Sequence, residues 1–346
     1  MKAAVLEQLN QPLNIYDLEI PCLDYGQVLV RVHCSTICGA QLREISGAKG
    51  EDKYLPHLLG HEGGGVVEKV GGGVQYVQEG DHVVLHWRKG RGIDCRPPKY
   101  NGDGIVVGGG WVTTFNDYAI VSENRLTKVN HDLPFPVASL MGCAVTTALG
   151  LVNNEAQLKI GESIVVAGCG GVGLNIIQGS AMVSATPIVA VDCISDKLAT
   201  AYSFGATHTV NSRKIDLDWS LQQIFGKSGI DVFVDCTGNP EVIATGYRNL
   251  TTNGRLILVG QPMCGVALNF PNAHCYCYSG KKMMDSQGGL TNPTLDIPRY
   301  ERLYLEGKLK LDELITDTFS LEEINTAINI AKSGYAGRVA LRMNDE

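Results

Sequence analysis

At 346 residues the chain is long enough for two domains with separate cores, and a 44% hydrophobic composition can fill them. A formal charge of −7 gives no basic field for nucleic acid or an acidic membrane. Eleven cysteines, an odd number spread along a chain whose opening residues lack the apolar core of a signal peptide, argue against a disulfide framework and for a reduced, cytoplasmic protein.

The first thirty or so residues alternate apolar and polar side chains, the period of half-buried strands, so the chain opens β-rich. Cys34 and Cys38 follow; they are spaced as a ligand pair could be, but no second pair lies nearby to complete a structural metal site. Next come Gly60-His61-Glu62, a Gly/Val-rich strand pair over 63–77, and the strand-like Gly80-Asp81-His82-Val83-Val84. His86 and Trp87 lead into a basic loop carrying Arg88, Lys89, Arg91, Arg96 and Lys99. From Ser163 to Val191 there is no charged residue, but the glycines and the interleaved Asn175, Gln178 and Ser180 fit a buried strand, turn and helix better than a membrane span.

In that stretch Gly168, Gly170 and Gly173, with Gly171 and Val172 between them, match G-x-G-x-x-G after a predicted strand and at the head of a predicted helix. The first glycine makes the turn, the second lets backbone approach a pyrophosphate, and the third lets helix and strand pack closely. Asp192 ends the following strand, where an acceptor for a ribose 2′-hydroxyl belongs; with no arginine after it, the pattern favours NAD over NADP. A helix over 196–204 and buried parallel strands at 231–235 and 255–260 continue the α/β alternation. His274, Cys275 and Cys277 make a local cluster, read as a packed or interface segment rather than a metal site.

The run Gly60-His61-Glu62-x-x-Gly65-x-x-x-x-x-Gly71-x-x-Val74 resembles the zinc signature of the medium-chain, zinc-containing alcohol dehydrogenase family. The resemblance extends to Cys38, to Gly142-Cys143 and Thr147, to Asp192 with Lys197, and to Gly337-Arg338. It implies an α/β fold in which a GroES-like, β-rich catalytic domain at 1–144 and 287–346 receives an inserted, doubly wound Rossmann domain at 145–286. It further implies catalytic zinc ligands at Cys38, His61 and Cys143, with Glu62 a neighbouring carboxylate able to approach the metal. Two thiolates and an imidazole suit zinc chemically. Thr147 and Val172 would support the nicotinamide ring, Lys197 the adenosine ribose and Arg338 the pyrophosphate, while Trp87 and Phe115 would line the substrate channel.

The chain departs from the family pattern in three places. Between Asp81 and Gly110 the only cysteine is Cys95, so a structural zinc lobe cannot be built and one zinc per chain is expected. The usual proton relay falls on Ala40 and Arg43, and an alanine relays no proton; a bound water, Glu62, His86 or a substrate group stays open as its replacement. Gln41 stands where an acid usually steadies the zinc-bound imidazole. The third departure is the basic loop over 88–99, either solvated or subunit-contact surface or a mouth for a polar, sugar-like or phosphorylated substrate. The expected protein is an NAD-dependent zinc alcohol dehydrogenase; the resemblance implies a dimer or a tetramer, and a homodimer is expected. A keto-sugar reductase or oxidation–elimination enzyme of the same family, and a non-catalytic zinc and NAD binding protein, stay open.

Overall fold

The computed structural model describes residues 1–102, 104–270 and 279–343; the His274, Cys275 and Cys277 cluster lies outside them. Chain contacts divide the protein into two units, Met1–Thr146 with Asn292–Glu346, and Thr147–Thr291.

The first unit contains strands β1 (Lys2–Leu6), β2 (Asn14–Asp17), β3 (Gln27–Thr36), β4 (His57–Leu58), β5 (Glu62–Val70), β6 (His82–His86), β7 (Lys99–Gly102), β8 (Ile105–Gly108), β9 (Tyr118–Ser122) and β10 (Leu126–Lys128). The second contains β11 (Ile164–Ala167), β12 (Ile188–Asp192), β13 (His208–Asn211), β14 (Ile230–Asp235), β15 (Leu250–Leu258) and β16 (Lys282–Asp285). The chain then returns to the first unit with β17 (Ile315–Ser320) and β18 (Arg338–Arg342).

In the first unit the larger sheet runs β10-β6-β5-β3-β18-β17, with β9 also on β3, and a smaller sheet runs β2-β1-β4-β8-β7. Alternation in β3 sets the layering: Val28, Val30 and Val32 turn into one apolar core with Val67, Val83, Leu85, Phe115 and Leu341. Register then gathers parts of the chain that are remote in sequence. Ser35 pairs with Gly63 across β3 and β5, and Thr36 pairs with Ala340 across β3 and β18. Cys38 lies two residues beyond Thr36, His61 two before Gly63 and Arg338 two before Ala340, so all three fall at one end of the sheet.

The second unit is a parallel sheet in the order β13-β12-β11-β14-β15-β16. Its central strands are apolar along their length (Ile164–Ala167 and Ile188–Val191 are buried), as expected where helices cover both faces of a parallel sheet. The strand order switches direction between β11 and β14, the kind of point at which such sheets take ligands. Among the described residues no single helix is long and apolar enough to cross a membrane.

Candidate metal centre and coenzyme site

Cys38 is the N-cap of the helix Gly39–Ile45 that follows β3, His61 precedes β5, and Cys143 sits between the helices Phe135–Met141 and Ala144–Gly150. Their ligand atoms, one from each residue, lie within 4.8 Å of one another. Cys38 and Cys143 are buried and His61 is half-buried. Gly60, with φ of 89°, turns the chain into this position, and a Cβ there would collide with the Thr114 side chain.

The electrostatics of the group suit a cation. A hydrogen bond from the Cys143 thiol holds the Cys38 thiol well below its ordinary value, against burial and with help from the Arg338 charge. Cys143 is pushed up by the same bond to Cys38 and by burial. His61 is raised: desolvation opposes its charge, but the Cys38 thiolate outweighs it. Two enclosed sulfurs and an imidazole form a donor set that fits zinc with one position left for a substrate oxygen.

Glu62 is fully buried beside the group; burial raises its carboxyl and the Arg338 charge pulls it back. Arg338 donates to its Oε1 at 2.9 Å and Oε2 at 3.2 Å, and to the Ile37 carbonyl at 3.0 Å, while the Ala144 amide donates to Oε2 at 3.2 Å. Both carboxylate oxygens are thus engaged, and the guanidinium assigned by resemblance to a pyrophosphate is placed on Glu62. Nothing local in the sequence signals this pair, because it is made by β18 joining β3. Gln41 accepts a hydrogen bond from the Cys38 amide at 3.3 Å through Oε1 and turns its Nε2 to His61 Nδ1.

His86 is committed elsewhere. Its Nδ1 donates to the Arg88 carbonyl at 2.7 Å, its Nε2 meets the Thr127 hydroxyl at 2.9 Å, and burial lowers it to about 4. Held neutral with both nitrogens engaged, it is poorly suited to carry a proton from substrate. Trp87 is half-buried, whereas Phe115, expected to line a channel, is fully buried as part of the apolar core that its sheet neighbours build. A second group, Glu44, Asp52 and His57, also gathers within 4.8 Å. Its members are taken locally: Lys49 pairs with Glu44 at 3.0 Å, and His57 is held by Asp52 at 2.8 Å and by the Leu58 carbonyl at 2.8 Å. Cys95 joins no cysteine cluster among the described residues; its thiol donates to the Tyr25 carbonyl at 3.2 Å.

In the second unit β11 ends at Ala167, Gly168 turns the chain with φ of 96°, and the helix Gly171–Met182 begins after its N-cap Gly170. A Cβ at Gly173 would overlap the Gly168 carbonyl, so only glycine allows this approach of helix to turn. A Cβ at Gly170 would meet nothing within 4 Å: the backbone there faces open space at a helix N-terminus, as pyrophosphate binding requires. Asp192, at the end of β12, accepts the amides of Cys169 at 2.8 Å and Ile194 at 2.9 Å. Lys197 and Val172 are half-buried and Thr147 is buried. The glycine turn and the carboxylate beside it fit a dinucleotide.

The alcohol dehydrogenase GroES-like domain family matches residues 24–131, and the zinc-binding dehydrogenase family matches residues 171–302. The chain is 32% identical to an alcohol dehydrogenase class-3 of Cereibacter sphaeroides, over 97% of this chain and 98% of that one. It is 30% identical to an S-(hydroxymethyl)glutathione dehydrogenase of Paracoccus denitrificans, again over 97% and 98%. The crystal structure of benzyl alcohol dehydrogenase from Acinetobacter calcoaceticus superposes with a TM-score of 0.88 at 27% identity, covering 99% of each chain. With the two domain families in their places and this likeness running the length of the chain, the protein belongs to the medium-chain, zinc-containing alcohol dehydrogenases, NAD-dependent oxidoreductases that act on CH–OH groups.

Proposed function

We propose that the chain interconverts an alcohol and its carbonyl compound at a single zinc held by Cys38, His61 and Cys143. The observation that carries this reading is the convergence of those three donors within 4.8 Å. When bound, the zinc supplies a Lewis acid for the substrate oxygen and NAD supplies the hydride acceptor. The chain's residues do the rest. Glu62 and Arg338, joined as a buried ion pair, brace the wall behind the donors; Gln41 holds the His61 ring; and Gly168, Gly170 and Gly173 open the backbone to the pyrophosphate. Asp192 and Lys197 serve the adenosine ribose, and Thr147 and Val172 support the nicotinamide. The catalytic domain is the two-part unit that contains β1–β10, β17 and β18, and the coenzyme domain is the unit between its parts.

A count of one zinc per chain is supported by the position of Cys95, which joins no cysteine cluster among the described residues, and by the engaged nitrogens of His57. With His86 and both Glu62 oxygens taken, the proton leaves by solvent or by a group on the substrate. The basic, aromatic surroundings of Trp87 favour a polar alcohol. The reading extends to a homodimer in the cytoplasm.

Elemental analysis of the wild type and of Cys38→Ser tests the centre. About one zinc per chain, lost in the variant together with NADH formation from an alcohol panel that includes benzyl alcohol, is the expected result. A wild type without zinc after gentle purification would sink the reading.

A further inference from the structure

Two hydroxyl groups hold the peptide that follows His61. Ser35, one residue before the end of β3, and Thr114, in the loop before β9, are both 0% exposed. Their hydroxyl oxygens lie 2.7 Å apart. Ser35 Oγ donates to the Glu62 carbonyl at 2.9 Å, and Thr114 Oγ1 reaches the same carbonyl at 3.2 Å. Each hydroxyl has one proton to give, so when one is spent between the two oxygens the other still reaches the carbonyl. Buried in this way, the carbonyl depends on that donor.

Thr114 grips the turn at both ends. Its amide donates to the Leu59 carbonyl at 2.9 Å, its hydroxyl serves the Glu62 carbonyl, and only Gly60 and His61 lie between those two residues. The Phe115 amide joins at the Leu59 carbonyl at 3.0 Å, and Phe115 is itself locked in the core. The glycines that flank His61 and Glu62 make room for this residue. A Cβ at Gly60 would collide with Thr114 Oγ1, and one at Gly63 would stand 2.9 Å from Thr114 Cγ2. Ser35 brings in the second donor segment, since it pairs with Gly63 and lies three residues before Cys38. The hydroxyl pair thus joins the stretch that leads to Cys38 to the peptide that follows His61.

We propose that Thr114, acting with Ser35, is a positioning residue for the metal centre: the hydroxyl pair fixes the backbone of His61 against the end of β3 and so sets the separation of the Cys38 and His61 donors. Gln41 reaches only the ring of His61, through Nδ1; the brace controls the other end of the side chain, where it leaves the backbone. Metal-to-sulfur and metal-to-nitrogen distances are short and narrowly set, so a small drift of one donor segment weakens the whole set. The inference rests on the reading of Cys38, His61 and Cys143 as metal donors, and extends it to residues that touch neither metal nor substrate.

The full-length protein loaded with zinc, and the same protein carrying cobalt(II), provide the test. Thr114→Val keeps both branches of the side chain and loses the proton; it should release zinc to a chromophoric chelator about tenfold faster than the wild type. Thr114→Ser keeps the hydroxyl and loses the methyl group, and should stay within about twofold of the wild type. Ser35→Ala leaves the Thr114 bond in place and should release zinc about threefold faster. A merely structural role would lower urea midpoints without moving the donors, so the deciding reading is the d–d absorption of the cobalt protein. That spectrum should change in Thr114→Val and superimpose on the wild type in Thr114→Ser. A folded Thr114→Val protein with wild-type zinc release and a wild-type cobalt spectrum overturns the proposal. If Thr114→Val does not fold, Ser35→Ala decides, and wild-type values for both readings overturn it. A wild type that takes up neither metal defeats the metal-centre reading itself and the brace with it, a result seen before any variant is made.

Discussion

Gln41 stands where the family's usual acid would orient the imidazole ligand, and its carbonyl oxygen is already taken by the Cys38 amide. Its other arm, an NH₂ group, faces His61 Nδ1, whereas an imidazole bound to metal through its other nitrogen has a proton at Nδ1 to donate. A glutamate would keep an acceptor for Cys38 and offer a second one to the ring. Gln41→Glu is therefore expected to tighten zinc about tenfold, measured by competition with a chromophoric chelator. His86 makes a pH prediction at the same scale. Its value falls from 6.5 to about 4 in the folded protein, so between those limits the unfolded chain binds more protons. The penalty is absent above about pH 6.5 and grows as pH falls toward 4, removing about 3 kcal/mol of stability in total. Urea midpoints followed over this range should show the loss, and His86→Gln should flatten that part of the profile.

At the scale of elements, the glycine turn was legible in the sequence because its requirements are local. Gly168 must take a positive φ, Gly173 must let a helix approach the turn's carbonyl, and neither depends on a distant strand. Gly173→Ala drives a methyl group into that carbonyl; it should destabilise the protein by about 3 kcal/mol and abolish NAD binding, as read by denaturation and by coenzyme fluorescence titration. Other element boundaries were less exact. The strand expected over 255–260 begins at Leu250 and ends at Leu258. Leu250 already pairs with Ile230 of β14, and the register shifts before Arg255 pairs with Val232, so a turn-like Thr-Thr-Asn-Gly stretch is carried inside the strand as an irregularity. The metal donors were grouped by resemblance alone, since Cys38, His61 and Cys143 belong to three separate parts of the chain.

For the whole molecule, the contact between Glu62 and Arg338 ties the first strands of the chain to its last. It is an ion pair in which one guanidinium nitrogen, Nη2, reaches both carboxylate oxygens, and in which Glu62 is 0% and Arg338 5% exposed. Removing one partner leaves the other charge buried, so Arg338→Ala should lower stability by about 3–5 kcal/mol. Glu62→Gln in the same chain should recover part of that loss, and denaturation of the two single variants and the double variant measures the coupling. Zinc affinity should fall in Arg338→Ala as well, because the guanidinium also helps to hold Cys38 as a thiolate.

The Glu62–Arg338 pair also orders the events of biosynthesis. As the polypeptide leaves the ribosome, Cys38, His61, Glu62 and Cys143 emerge first, then the whole of the Thr147–Thr291 unit, and only afterwards the strand that begins at Arg338. Domains made first usually fold first, but here the earlier-made half must wait for β18 to complete its sheet and neutralise Glu62. During that interval the nascent chain presents two thiols and an unmatched carboxylate to the cell. A metal ion captured early would bind a half-built centre, so loading with zinc is expected to depend on closure of the C-terminal strand.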